Sequence, residues 1–291
     1  MNHPSTIVQP AVDTAALLDA VRRHDEDGYR WTADLRVDPA DPFFFDHPLD
    51  HVPGMLLFCA AWDLARAGAA GPAAHRLRTA LTFRRICELA PAPALEVVEG
   101  AGRYDVYVRQ GGAVAADGWF ALADTGTVTV PPAAPVRPRP VEALLVHRVR
   151  TENIMIGEPE RTDDGLRAPV LVPPAGHALA GRGGDTHAVE CLVEAARQFC
   201  TLLVHRVGCW PLGTQIIWLG VAADLPTDLP RTSGLALRWR NCPLGTGRAW
   251  CDFDLVGPDD RAPVLGTLRY HIKVLSGHAY HRFRRATGGI A

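Results

Sequence analysis

The sequence predicts an α+β protein made of two similar halves, each a long buried helix packed against an antiparallel sheet. Two runs supply the helices: residues 54–67, GMLLFCAAWDLARA, apolar on nearly every side at first, and residues 186–207, THAVECLVEAARQFCTLLVHRV. Each run has short segments near it that are rich in β-branched and aromatic residues, as strands are. Between them residues 131–140, PPAAPVRPRP, lack too many backbone donors for a ladder or a helix, and they divide residues 1–135 from 141–291.

In chain order, residues 13–25 (DTAALLDAVRRHD) show helical periodicity with Asp13 placed to cap. After the first core helix, LTFRRICEL, ALEVVEG, RYDVYVRQ and GWFALAD read as antiparallel strands, with Gly111-Gly112 and Asp117-Gly118 marking a hairpin between the last two. Beyond the connector, ALLVHRVR and ENIMIG read as strands, a Gly-rich loop leads into the second helix, and TQIIWLG, GLALRWRN, RAWCDFDLV and VLGTLRYHIKVL complete a second sheet. The two helices superimpose at an offset of 135 residues, which sets Cys59 on Glu194 and Asp50 on Asp185. That match falls at corresponding places in two similar element orders, the mark of an internal duplication.

Composition bounds the function. With 291 residues, 47% hydrophobic and 21% charged, and a formal net charge of −2, the chain resembles neither a disordered segment nor a nucleic-acid-binding protein. Lys273 is the only lysine and so the only candidate for Schiff-base chemistry. The 7 cysteines form no CxxC pair and read as reduced core thiols rather than a disulfide framework or a zinc knuckle. No secretory leader and no apolar run of roughly 20 residues is apparent, so a soluble, cytoplasmic protein with no membrane partner is expected.

The densest chemistry lies in residues 43–57, FFFDHPLDHVPGMLL, where His47, His51, Asp46 and Asp50 precede Pro53-Gly54 and the first core helix. The aspartates could cap turns, but titratable groups at a buried helix start suggest a reaction site. A metal reading is set aside, because Pro48 prevents the helical i, i+4 geometry that would aim both imidazoles at one ion. In CLVEAARQF, Glu194 must be paired, protonated or facing a polar cavity; an i, i+3 pair with Arg197 is the structural alternative. Cys59 reads as an inert core thiol, His187 as a minor candidate, and Arg282, Arg284 and Arg285 as part of a solvated tail rather than a docking face for an acidic carrier protein.

HPLDHVPGMLL resembles the A-factor biosynthesis hotdog-domain family, the γ-butyrolactone synthases of actinobacteria, which carry two hotdog repeats. Val146-His147-Arg148, Glu152-Asn153-Ile154-Met155-Ile156-Gly157, Glu194-Ala195-Ala196-Arg197-Gln198, and His205 followed by Trp210-Pro211-Leu212-Gly213-Thr214-Gln215 extend the resemblance over both halves. Two departures stand out: the motifs occur in the reverse order, and Cys59 replaces a family glutamate. The step from Pro53-Gly54 to Cys59 also resembles the spacing of bacterial β-hydroxyacyl-carrier-protein dehydratases, which put their acid at that position and share each site between two hotdogs.

The resemblances imply a double hotdog with one live composite site, His47 or His51 as base and Glu194 as acid, and one dead site at Cys59. A neutral histidine would remove a proton and a protonated Glu194 would donate one. Gly54 and Met55 would offer backbone N–H groups to a thioester oxyanion, Arg197 and Gln198 would bind substrate, and no metal or cofactor is needed. The first implied activity is condensation of a β-ketoacyl thioester, on acyl carrier protein or CoA, with a dihydroxyacetone-phosphate-like alcohol in secondary metabolism. Dehydration of β-hydroxyacyl thioesters in polyketide assembly is the second, and a non-catalytic acyl-binding hotdog the third. Arginines lining the site would favour condensation. A single double-hotdog chain or a homodimer is the expected assembly.

Overall fold

The computed structural model describes residues 17–24, 29–68, 75–124, 129–130, 132, 138–240, 244, 247–259 and 263–286. The first half runs β1 (Leu18–His24), β2 (Arg30–Leu35), α1 (Gly54–Gly68), β3 (Arg76–Phe83), β4 (Ala94–Gly100), β5 (Arg103–Gln110) and β6 (Ala113–Ala123). The second runs β7 (Glu160–Thr162), β8 (Gly165–Pro169), α2 (Val189–Arg206), β9 (Gln215–Pro226), β10 (Ala236–Arg240), β11 (Arg248–Val256) and β12 (Val264–Leu275), and α3 (Gly277–Ala286) follows. Among the described residues no helix is long and apolar enough to cross a membrane.

The strands form one 12-stranded antiparallel sheet in the order β1-β2-β4-β5-β6-β3-β9-β12-β11-β10-β8-β7. This order is a palindrome about the β3–β9 junction, where Ala80 pairs with Ala222 and Leu81 with Val221. Each strand of one half thus has a counterpart in the other, β1 with β7 through β6 with β12, as an internal duplication requires. The sheet curls around both helices, and one continuous apolar core joins the halves. α1 is buried along most of its length, from Met55 to Ala65, and α2 from Val189 to His205 apart from Arg197. Helices enclosed on most sides need apolar residues on most sides, which suits the largely apolar α1; α2 is enclosed too, yet it buries the polar residues Glu190, Glu194, Gln198 and Thr201.

Several elements differ from the sequence expectation. Residues 18–24 are a strand, not a helix: β1 pairs with β2 through an irregular register at Asp19/Arg22, and Ala20 there has φ of 52°. The bulge spaces apolar residues in a way that imitates a helical period; residues 13–16 and 25, the rest of that expected helix, lie outside the described residues. In LTFRRICEL the strand stops at Phe83. ALLVHRVR forms a 3-10 turn over Ala143–Val146 and ends with His147 in the left-handed region, while Thr151–Asn153 of the next segment forms another. The expected tail is helical, with Tyr280 and Arg284 buried. Of the proline-rich connector, Pro132 bridges Ser233 and Pro140 bridges Gly157, and residues 131 and 133–137 lie outside the described residues.

Asp117-Gly118 is not a turn but the middle of β6, between β3 and β5. Glycine is required there by close approach: a Cβ on Gly118 would lie 2.0 Å from the Ala80 carbonyl oxygen and 2.6 Å from Leu81 Cδ2. Because the obstruction is backbone, Gly118→Ala is expected to lower stability by about 1–3 kcal/mol in a urea titration. An unchanged midpoint would show that β3 and β6 can separate freely.

Candidate active site

The loop before α1 is held mainly by the second half of the chain. Asp41 accepts from the N–H groups of Phe43 and Phe44, both at 2.8 Å, which starts a turn. Buried Asp46 accepts from the N–H groups of Val149 at 2.9 Å and Arg150 at 3.1 Å. The Arg148 guanidinium donates to the Phe43 carbonyl at 2.6 Å, and Asn153 donates to the Pro42 carbonyl at 2.8 Å. A long-range set of hydrogen bonds therefore fixes where His47 and His51 stand.

Behind this loop lies Glu194, fully buried on α2. It accepts from Arg148 at 2.6 Å, from Arg197 Nε and Nη2 at 2.7 Å each, and from Gln198 at 2.7 Å. Burial alone would push its pKa up, but Arg148 and Arg197 overcome it and bring the value down to about 2. Glu194 is therefore an ionised acceptor rather than the protonated donor that the dehydratase resemblance implies, and the i, i+3 pair with Arg197 is present. Neither Glu194 nor Gln198 lines the cavity described next. Gln198 is buried, and besides Glu194 it bonds the Met155 N–H at 2.8 Å and the Asn153 carbonyl at 2.7 Å.

A cavity opens where the two halves meet. Of the residues singled out from sequence, His47, His51, Gly54, Met55 and Arg197 line it. Its apolar walls include Phe44, Leu49, Phe83, Ile86, Ile216 and Trp218, and the Phe83 and Trp218 rings are 5.0 Å apart. The charged residues lining it are four arginines, Arg84, Arg85, Arg148 and Arg197, with no carboxylate among them. Arg84 pairs with Asp117, whereas Arg85 makes no ion pair among the described residues. Gly54 allows Trp218 to approach the start of α1, since a Cβ would lie 2.5 Å from the indole. The Leu56 N–H turns back to the Pro53 carbonyl at 3.0 Å, which leaves Gly54 and Met55 as the first residues of the helix at the cavity.

The histidines differ in their surroundings. Burial lowers the His47 pKa, and the Arg197 and Arg148 charges lower it further, so the ring is neutral near pH 7; its Nδ1 is buried without a hydrogen-bond partner. His51 Nδ1 lies 2.7 Å from Asp50. His147, another lining residue, places Nε2 at 2.9 Å from His205 Nε2, while His205 Nδ1 donates to the Trp210 carbonyl at 2.9 Å. Burial next to His205 brings the His147 pKa down to about 3. His187 is buried away from the cavity and bonds the Ser233 carbonyl at 3.2 Å.

Sequence reasoning missed Arg84, Arg85, Arg148, His147, Trp218 and Tyr280 as lining residues. Only Val146-His147-Arg148 carried a signal, as part of the family-like pattern. The others come from three separate segments, so no local spacing marks them.

The duplicated position holds something different. At the 135-residue offset Arg182 stands where His47 does and Cys59 where Glu194 does. Arg182 bonds Asp63 and also Glu190 at 2.8 Å, with Asp63 and Glu190 both buried. Burial raises the Cys59 thiol well above its ordinary value, which keeps it protonated and unreactive. An ion-paired plug thus fills the place of a second site.

A helix wrapped by antiparallel sheet, twice over, with a cavity between the units, defines a double hotdog protein. The dehydratase domain from the CurJ module of curacin polyketide synthase is similar in fold, with a TM-score of 0.62 at 11% identity over 89% of this chain and 96% of that one. So is the dehydratase domain of PpsC from Mycobacterium tuberculosis in complex with C12:1-CoA, with a TM-score of 0.58 at 18% identity over 90% and 100%. The A-factor biosynthesis hotdog domain matches residues 4–79 and 131–238, more than half of the sequence, and the chain belongs to that family. Within it, a 2-oxo-3-(phosphooxy)propyl 3-oxoalkanoate synthase of Streptomyces virginiae is 39% identical over 64 residues, 22% of this chain. The match spans only 21% of that relative's length.

Glu194→Gln leaves Arg148 and Arg197 without their counter-charge and is expected to cost about 3–5 kcal/mol at pH 7, measured by urea unfolding. A carboxylate with a lowered pKa stabilises the fold fully above its ordinary value of 4.5 and loses that contribution as pH falls toward about 2. The gap between wild type and variant should therefore narrow across that range; a gap that stays constant would contradict the ion-pair account.

Proposed function

We propose that the protein transfers a β-ketoacyl group from a thioester to the hydroxyl of a phosphorylated three-carbon alcohol such as dihydroxyacetone phosphate. The observation that carries this reading is the cavity's charged lining, arginine at every position. A phosphate dianion suits such a lining, because guanidinium groups bind its oxygens through charge-assisted, often bidentate hydrogen bonds. Arg197 gives Nε and Nη2 to Glu194 and keeps Nη1 for a ligand, and Arg85 is uncommitted. The apolar wall suits an acyl chain, and the likeness to the Streptomyces virginiae synthase agrees with a phosphorylated ester as product.

In this reaction a neutral imidazole, His47 or His51, takes the hydroxyl proton as the alcohol oxygen attacks the thioester carbon. Negative charge collects on the carbonyl oxygen, where the Gly54 and Met55 N–H groups at the positive end of α1 would receive it. The C–S bond breaks, and the thiolate takes the proton back from the imidazolium, giving an ester and a free thiol. The acyl donor would be carried by acyl carrier protein or CoA.

Dehydration draws support from the dehydratase-like fold and the histidine-plus-acid layout. It needs a protonated acid opposite the histidine, however, and the ionised state of Glu194 speaks against it. Glu194 acts instead, in this reading, as the anchor of two arginines.

The test is incubation with a β-ketoacyl thioester plus dihydroxyacetone phosphate and, separately, with a β-hydroxyacyl thioester, read by mass spectrometry. A phosphorylated acyl ester from the first and no loss of water from the second is expected. Arg85→Ala should raise KM for the phosphorylated alcohol about 10-fold or more, the loss of one charged hydrogen bond, with KM for the thioester unchanged. Water loss without ester formation would overturn the reading, and no turnover of either substrate would favour an acyl-binding role.

A further inference from the structure

We propose that α3 belongs to the reaction machinery: Tyr280 and Arg284 hold the Asp50 carboxylate against His51 Nδ1, so that His51 offers a bare Nε2 to the cavity and serves as the base. What the base does rests on the acyl-transfer reading above; the tie itself does not.

The geometry begins at Glu88, in the loop after β3. Arg284 is 5% exposed and grips Glu88 with two parallel bonds of 2.8 Å, which fixes α3 against the first half of the chain. The same guanidinium reaches Asp50, with Nε at 3.2 Å from Oδ2 and Nη2 at 3.2 Å from the backbone oxygen. The Tyr280 hydroxyl donates to Asp50 Oδ1 at 2.7 Å, and His51 Nδ1 lies 2.7 Å from that same oxygen. A carboxylate that receives Tyr280 and Arg284 hydrogens acts only as acceptor, so the proton in the His51 contact sits on Nδ1. In the neutral ring Nε2 then carries the lone pair, the arrangement a carboxylate-oriented base requires. His51 and Tyr280 both line the cavity.

His47 lacks such a tie. The neighbouring carboxylate, Asp46, is taken up by the Val149 and Arg150 N–H groups, and no group holds His47 Nδ1. Two guanidiniums lie near it instead, which suits contact with an anionic substrate group better than acceptance of a proton. Asp50, Tyr280 and Arg284 are positioning residues in this scheme, and His51 is the catalytic residue.

The test combines the tautomer of His51 with turnover, on the full chain. With 15N-labelled histidine, His51 assigned through a His51→Gln spectrum should appear as the Nδ1–H form in wild type. Asp50→Asn should lose that form, because an amide can donate to Nδ1, and turnover should fall about 10³-fold or more, as for a base held in the wrong tautomer. Tyr280→Phe with Arg284→Met should reduce kcat about 10–100-fold, the usual cost of losing groups that orient a reacting residue, with KM little changed. Arg284→Lys should recover part of that loss, which a role in folding alone would not predict.

An Nε2–H form of His51 in wild type would overturn the proposal, as would Asp50→Asn turnover within about twofold of wild type. If wild type makes no ester yet His51 shows the Nδ1–H form only when Asp50 is present, the acyl-transfer reading fails and the α3 tie stands.

Discussion

One buried carboxylate organises the region between the repeats. Glu194 has no access to water, and an isolated charge there would be prohibitively costly. Arg148, Arg197 and Gln198 compensate it, and each partner has a second task. Arg148 ties the loop before α1 through the Phe43 carbonyl, and Gln198 ties the 151–156 segment through Asn153 and Met155. Arg197 presents the rest of its guanidinium to the cavity. The same interaction that secures the fold thus places positive charge beside two histidines.

The duplication sets the two corresponding positions side by side, and they differ. Both halves supply a helix and a preceding loop, and the palindromic sheet brings each loop to the other half's helix. In one copy the loop histidine His47 stands near Arg148 and Arg197, which Glu194 anchors; in the other the loop arginine Arg182 pairs with Asp63 and Glu190. A buried ion pair contributes little net stability compared with apolar packing, but breaking it by removing one member is expensive. The second copy is therefore a structural plug with its own constraint on sequence.

Much of this was legible in the sequence, and the exceptions share a cause. Both core helices, β11 and β12 follow the runs that local periodicity marks, because burial on most sides or on alternate sides leaves a direct imprint. β1 and the segment around His147 do not, since a bulged strand and a strained turn depend on partners distant in sequence. The helical form and burial of α3 follow from Asp50 and Glu88, more than 190 residues earlier, so a basic, polar composition there reads as solvated. That His47, His51, Gly54, Met55 and Arg197 come together was legible from the motif and the duplication, since all five line the cavity. The ionisation of Glu194 was not, because Arg148 stands 46 residues away and no spacing rule connects them.

The measurement that bears most directly on this account is a 13C titration of the Glu194 carboxyl in selectively labelled protein, followed from neutral pH downward and assigned with the Glu194→Gln spectrum. The account predicts an ionised carboxylate throughout, with protonation delayed toward pH of about 2 or until the protein unfolds. A Glu194 that is already protonated near pH 7 would contradict it and would restore the acid that dehydration needs.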